Sequence, residues 1–257
     1  MKIRIIGCGA MGSALAHILK EQGHQISLFD RKKEQAESLS REVGAPCAKT
    51  PLEGLQTEDL LVLAIKPNDF EEALASLQEF SGALVISVLT GITLAQLKKA
   101  FRAPVLRMMP NLAIRYGEGV VACMQDPALE GLKKTIDALL APMGEILWIQ
   151  EEAIHALTAL GGSGPAFIFM IVEAMIDAAL AMGLSADMGR KVAIQTIKGA
   201  MTTLESSHRS PGDLKWQVTS PGGTTIAGVR QFEESGIKSG LIKTFLAAYE
   251  RSRELSK

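Results

Sequence analysis

Two clusters of glycine and small polar residues stand at opposite ends of the chain: Gly7-Cys8-Gly9-Ala10-Met11-Gly12, and Ser220-Pro221-Gly222-Gly223-Thr224-Thr225. Each precedes a stretch of helical composition, and the start of a helix offers unpaired N–H groups and a favourable dipole to an anion. The first cluster has GxGxxG spacing. Gly7 permits the tight turn, Gly9 lets the backbone approach a pyrophosphate, and Gly12 lets the helix pack against its strand. The second cluster is neutral and rich in hydroxyls, with no His, Cys or carboxylate beside it. Such a nest suits the carboxylate of a small substrate better than it suits the machinery of a nucleophile.

Other residues between these clusters carry chemistry by type and place. Asp30-Arg31-Lys32-Lys33 ends a second apolar run. An acidic side chain there bonds ribose hydroxyls, whereas Arg31 and Lys32 suit a 2′-phosphate, and arginine matches phosphate geometry best. The reading favours NADPH and leaves NADH open. Ala64-Ile65-Lys66-Pro67 follows a third apolar run, at the edge where open α/β sheets bind ligands, and the proline holds Lys66 extended. Asn111, closing Arg107-Met108-Met109-Pro110-Asn111, offers an amide to a nicotinamide. In Gly161-Gly162-Ser163-Gly164-Pro165, Ser163 is placed to cap the helix that follows, with Pro165 in its first turn.

These residues need elements to position them. Lys2–Ile6 reads as a strand, 13–21 as a helix ending at Gly23, and 24–29 as a second strand, a unit of the kind that binds dinucleotides. Alternation continues with helix 33–43, strand 60–65, helix 70–80, strand 83–88, helix 94–101 and strand 105–109. Strands at 119–123 and 145–149 flank a helix at 128–141. This predicts an α/β fold, a doubly wound and mostly parallel dinucleotide-binding sheet over residues 1–150. From residue 151 strand-like runs vanish, and 153–159, 166–182, 186–205, 224–234 and 237–255 read as helices. An all-helical domain over 151–257 follows, expected to carry substrate binding and dimerisation.

Segment 166–184 has the length of a membrane span, but Glu173 and Asp177 lie inside it, where a lipid-facing carboxylate costs roughly 2.5 to 3.5 kcal/mol. Apolar residues surround most of its circumference, so it must be covered, and a second subunit is the expected cover. A homodimer or higher homo-oligomer is predicted. Lys plus Arg (27) nearly balances Asp plus Glu (28), which gives no field for nucleic acid or a membrane surface. Cys8, Cys47 and Cys123 lack metal-site spacing, so no metal is expected, and they fit the reducing cytoplasm. The N-terminus turns straight into the glycine loop, which leaves no room for a signal peptide in this reading.

Taken together, these motifs resemble the pyrroline-5-carboxylate reductase family over essentially the whole length: the glycine fingerprint, Ala-Ile-Lys-Pro, Met-Pro-Asn at 109–111, Gly-Ser-Gly-Pro-Ala at 162–166, and Val-Thr-Ser-Pro-Gly-Gly-Thr-Thr at 218–225. The resemblance implies a dinucleotide domain followed by a helical domain that interlocks with a partner. It also implies hydride transfer from NAD(P)H to the ring C=N of 1-pyrroline-5-carboxylate, giving L-proline. By resemblance, Gly7, Gly9, Ala10, Met11, Gly12, Arg31, Ala64, Ile65, Lys66, Pro67 and Asn111 touch the cofactor. Ser220, Gly222, Gly223, Thr224 and Thr225 hold the substrate, Thr225 lies close to the imine nitrogen as the catalytic hydroxyl, and Glu151 is a substrate-proximal acid. The sequence departs from the family pattern at Leu89-Thr90, Leu112-Ala113 and Phe167. Reduction of another cyclic imino acid, or a non-catalytic NADP-binding sensor, are the alternatives.

Overall fold

The computed structural model describes residues 1–255. Contacts divide the chain into two compact units, one formed by Met1–Gly162 with the chain's end from Ala248, the other by Ser163–Ala247.

The first unit is built on a seven-stranded sheet: β1 (Lys2–Ile6), β2 (Gln25–Phe29), β3 (Leu60–Leu63), β4 (Leu84–Ser87), β5 (Val105–Pro110), β6 (Gly119–Met124) and β7 (Gly144–Ile149), in the spatial order β2-β1-β3-β4-β5-β6-β7. β1 to β5 run parallel, β6 turns antiparallel to β5, and β7 runs parallel to β6. β3 and β4 are buried at every position, as unbroken apolar runs in a sheet covered on both faces should be. The covering helices are α1 (Ala10–Glu21), α2 (Lys33–Val43), α3 (Phe70–Leu77), α4 (Leu94–Ala100) and α5 (Lys133–Leu140). Ile3, Ile5, Leu15, Leu19, Leu28 and Val62 belong to one apolar layer, and Leu61, Leu63, Phe70, Leu77 and Leu97 to another.

A buried arginine in β1 orders the long connection before β3. Arg4 donates to Ser27 Oγ and to the carbonyls of Thr50, Pro51 and Glu53 at 2.7 to 3.0 Å. Burial pulls its pKa downward, against the opposing charges of Glu53 and Asp59.

After β7 the chain enters a helical run through α6 (Ile154–Leu157) and a π-helical turn at Thr158–Gly162. This corrects the reading of Ser163 as a side-chain cap. Ser163 keeps helical angles (φ −88°, ψ −24°) and makes no capping hydrogen bond, because the helix does not begin there. The helix that reads as 128–141 is likewise a 3-10 turn at Pro127–Leu132 leading into α5.

The second unit comprises α7 (Gly164–Ala181), α8 (Ala186–Ser207), α9 (Pro211–Gln217), α10 (Thr224–Glu234) and most of α11 (Ile237–Glu254). α7 packs on α8, where Gly189 allows contact with Ala179, and Phe167 meets Phe245 edge to face at 5.1 Å. α9 is absent from the sequence reading. Ser210 caps it, accepting from Asp213 N at 3.2 Å and donating to Asp213 Oδ2 at 2.7 Å.

The run Glu151–Ala181 is long and apolar enough to cross a membrane by length and composition. Within one chain α7 is largely uncovered: Phe169 is 70% exposed, and Met170, Glu173 and Asp177 are exposed as well.

Candidate active site

The strand order creates one candidate ligand site, within the first unit. From β1 the chain moves to β2 on one side and returns to β3 on the other, so the connections after β1 and β3 diverge and leave a crevice at the sheet's carboxyl edge. Gly7, Gly9, Asp30, Arg31, Ala64, Ile65 and Lys66 line an open cavity of about 490 Å³ there. Pocket surveys place small-molecule sites in this size range.

Gly7 has φ +99°, a conformation that side chains rarely adopt, and a Cβ there would stand 2.5 Å from the carbonyl oxygen of Ala64. A Cβ on Gly12 would strike the Gly7 carbonyl. The turn is therefore pressed between α1 and the end of β3, with Gly7 N donating to Phe29 O and Ala64 N to Ile6 O, both at 2.8 Å. Gly9 is different. It is the N-cap of α1, makes no side-chain cap, and has nothing within 4 Å of its missing Cβ. The first amides of α1, from Ala10 to Gly12, thus stand at a helix start that no side chain caps.

Asp30 does not present a free carboxylate to ribose. Its oxygens accept from Cys8 N and Lys32 N, each at 2.8 Å, which ties the glycine turn to the tip of β2. Arg31 crosses the crevice mouth to Glu72 Oε2 at 2.6 Å and Asp69 Oδ1 at 3.2 Å, yet stays 59% exposed, so both ion pairs are screened by solvent. Lys66 is extended (φ −72°, ψ 144°), with Pro67 opening the 3-10 turn after it. Cys8 is no reactive thiol. Burial pushes its pKa up to about 12, with the negative charge of Asp30 and the neighbouring Cys47 adding to it.

Asn111 and Glu151, both assigned to ligands by resemblance, are engaged inside the first unit. Asn111 is buried, its amide donates to Gly161 O at 2.9 Å, and its Oδ1 accepts from Ala113 N and Val120 N. Glu151 Oε1 pairs with Arg107 Nη1 and accepts from Leu94 N at 2.8 Å. Arg107 is the residue that the sequence reading passed over, and the signal was a charge inside the apolar run of β5.

A second candidate ligand site lies within the second unit. Gly222 has φ +69°, which turns the chain so that Gly223 N donates to Ser220 O at 3.1 Å. A Cβ on Gly223 would strike the Ser220 hydroxyl. Gly223 is the N-cap of α10 and makes no side-chain cap, so the amides of Thr224 and Thr225 open a second uncapped helix start. Thr225 also borders a cavity of about 630 Å³, with Gly212, Lys215, Gly228 and Phe232.

Both units find counterparts among known proteins. Residues 151–255 match the family model described as pyrroline-5-carboxylate reductase dimerisation, and residues 2–91 match the one described as NADP oxidoreductase coenzyme F420-dependent. A pyrroline-5-carboxylate reductase of Methanosarcina acetivorans is 34% identical over 100% of this chain and 98% of its own length. The crystal structure of 1-pyrroline-5-carboxylate reductase from Streptococcus pyogenes superposes with a TM-score of 0.90 at 29% identity, covering 99% of this chain and 98% of that one. The Plasmodium falciparum pyrroline carboxylate reductase, solved with NADP bound, gives a TM-score of 0.87 at 26% identity over the full length of both chains. End-to-end likeness in sequence and in fold means that the chain belongs to the pyrroline-5-carboxylate reductase family.

Proposed function

We infer that this protein reduces 1-pyrroline-5-carboxylate to L-proline with NADPH, the last step of proline biosynthesis. The observation that carries the reading is the pair of uncapped helix starts. The one at α1 opens on a crevice with an exchangeable arginine, and the one at α10 is flanked by the hydroxyls of Ser220, Thr224 and Thr225. A dinucleotide needs the first and a small carboxylate the second.

The residues present fit NADPH. The N–H groups of Ala10, Met11 and Gly12 at the start of α1 would hold the pyrophosphate, and the open space at Gly9 allows its approach. Arg31 would exchange Asp69 and Glu72 for the 2′-phosphate. Ala64, Ile65 and Lys66 form the opposite wall, Pro67 keeps Lys66 extended there, and Asn111 holds the end of β5 beyond it. When bound, NADPH supplies the hydride. NADH remains the weaker alternative, having no phosphate for Arg31.

At α10 the substrate carboxylate would lie against the amides of Thr224 and Thr225, with Gly223 closing the turn beside it, each charge-assisted bond contributing about 1.5 to 3 kcal/mol. Gly222 supplies the turn and Ser220 a hydroxyl beside it. Thr225 would orient the imine nitrogen through its hydroxyl. A protonated imine accepts hydride with little further acid catalysis, so rate rests on orientation. Residues 1–150 would then form the cofactor domain and 151–257 the substrate and dimerisation domain. A second copy of the chain is the proposed cover for the exposed apolar surface of α7, which lies in the segment matching the dimerisation model. The free Cys8, Cys47 and Cys123 support a cytoplasmic location.

The test is loss of NADPH absorbance with 1-pyrroline-5-carboxylate, run beside the six-membered piperideine carboxylate and with NADH in parallel. Thr225→Ala is expected to lower kcat by about 100-fold or more while the Kd for NADPH stays within threefold. NADPH binding without turnover on either ring would replace the reductase by a cofactor sensor.

A further inference from the structure

The exit from the sheet is held at two points by one strand. Arg107 on β5 is 4% exposed and pairs with Glu151, the first residue of the helical run that leaves β7. Four residues later, Asn111 donates to Gly161 O at 2.9 Å. Four strand residues span about 13 Å, and the ten helical steps from Glu151 to Gly161 span about 15 Å. The helical run therefore lies along the end of β5 over a matched length, tied at its base and at its top. The upper tie falls within the π turn at Thr158–Gly162, an irregularity that helices carry most often at functional sites.

The lower tie reaches the cofactor crevice as well. Glu151 Oε1 accepts from Leu94 N, the first residue of α4, and so fixes the far end of the loop 88–93 that follows β4. The near end of that loop is fixed by Val88 N donating to Leu63 O at 3.1 Å, and Ala64 is the next residue and part of the crevice wall. Arg107 and Glu151 thus join three segments: the loop after β4, the end of β5 and the run after β7. The pair is poorly designed as a source of stability, because Arg107 Nε is buried without a hydrogen-bond partner among the described residues. Buried ion pairs often contribute little net stability, and setting a register is their best-attested use.

We propose that the Arg107–Glu151 pair is a ruler: it sets the height of the Gly161-Gly162 turn and of loop 88–93 on the carboxyl edge of the sheet, and so positions the reactants for hydride transfer. The proposal rests on the reductase reading given above. Glu151 then acts on the reaction through the segments it holds, and both residues are positioning residues. A shift of 1 Å in such supports costs about 100-fold in rate, whereas pyrophosphate and phosphate contacts at α1 and Arg31 are untouched.

The experiment compares wild type, R107K and the charge-neutral double variant R107M/E151Q, which removes the ion pair that holds Glu151 against Leu94 N. Thermal midpoint, NADPH Kd, kcat and KM are measured, with amide hydrogen exchange over 88–94 and 158–162. The double variant is expected to melt near wild type and bind NADPH within threefold, yet lose at least 20-fold in kcat and exchange faster in both segments. R107K, which keeps the charge without the planar fork, should recover part of kcat. If the double variant does not fold, R107K carries the test through kcat and exchange. Turnover within threefold of wild type, or unchanged exchange in both segments, overturns the ruler. A wild type without imine reduction overturns the reductase reading instead, and exchange still decides whether the pair holds the two segments.

Discussion

Gly9→Ala separates cofactor binding from folding more cleanly than any other change in the glycine turn. At Gly7 or Gly12 an added methyl meets backbone, and at Gly7 a positive φ adds strain, so loss of binding there would be confounded with loss of the fold. At Gly9 the backbone is ordinary (φ −75°, ψ −168°) and the methyl enters open space. The folding terms oppose each other: alanine restricts the unfolded chain, stabilising by about 0.4 to 1 kcal/mol, and is a worse N-cap than glycine by a similar amount. Stability should stay within about 1 kcal/mol of wild type in urea unfolding. Binding should not. The methyl occupies the space through which a pyrophosphate must approach the first amides of α1, and losing one charge-assisted hydrogen bond of about 1.5 to 3 kcal/mol corresponds to a rise in Kd of roughly 10- to 150-fold. The rise should be equal for NADPH and NADH, because both carry the pyrophosphate. Fluorescence titration of the two cofactors measures it, and a Kd within threefold of wild type in a folded variant would refute the placement of the pyrophosphate at this turn.

Arg31→Ala should raise the Kd for NADPH at least tenfold and leave that for NADH within threefold; equal effects on both would remove Arg31 from phosphate recognition. Native protein should titrate one fast thiol with an aromatic disulfide reagent at pH 8, because Cys47 is exposed whereas burial pushes Cys8 and Cys123 up to about 12, and three thiols should react after unfolding. A second fast thiol would contradict the buried environment of Cys8. At Asp126, burial opposes ionisation, but the hydrogen bond from Lys98, the amide of Ala128 and the charge of Lys98 together hold the carboxyl below its usual range. A depressed folded pKa stabilises above the unfolded value of about 3.9 and loses that contribution as pH falls through the folded one. Asp126→Asn should therefore lower stability at pH 6 and narrow its gap to wild type as pH falls below about 4; urea unfolding from pH 3 to 7 reads the difference.

What the sequence made legible follows from the range over which each residue acts. β1, α2 and α10 fall where the local pattern puts them, because alternation, helix period and glycine punctuation are encoded within a few neighbours. The turn at Gly7, the extended Lys66 before Pro67 and the open start of α10 are local in the same sense, and they hold most of the proposed ligand contacts. β3 shows where local reading fails. Its apolar run continues through Ala64 and Ile65, but the strand stops at Leu63 and the next residues turn into the crevice wall, a boundary set by pairing with β1 and β4. Ser163 has the composition of a cap, but the helix entering from α6 overrides it. α9 carried a Ser-Pro-x-Asp start at Ser210 that a seven-residue helix has no period to reinforce.

The least legible feature is also the one on which geometry at the sheet edge depends. Arg107 and Glu151 are 44 residues apart, and no window of sequence contains both. Each alone reads as ordinary: an arginine near the end of a strand, a glutamate at the start of a helical run. The physical clue is the cost of burying a guanidinium in an apolar strand, which is too large to leave without acceptors. Arg4 in β1 poses the same problem and solves it differently, with Ser27 and three loop carbonyls as its acceptors. One strand arginine thus orders a loop and the other fixes an exit. A charge in a buried strand therefore announces that some distant segment is being held there, and only the fold says which.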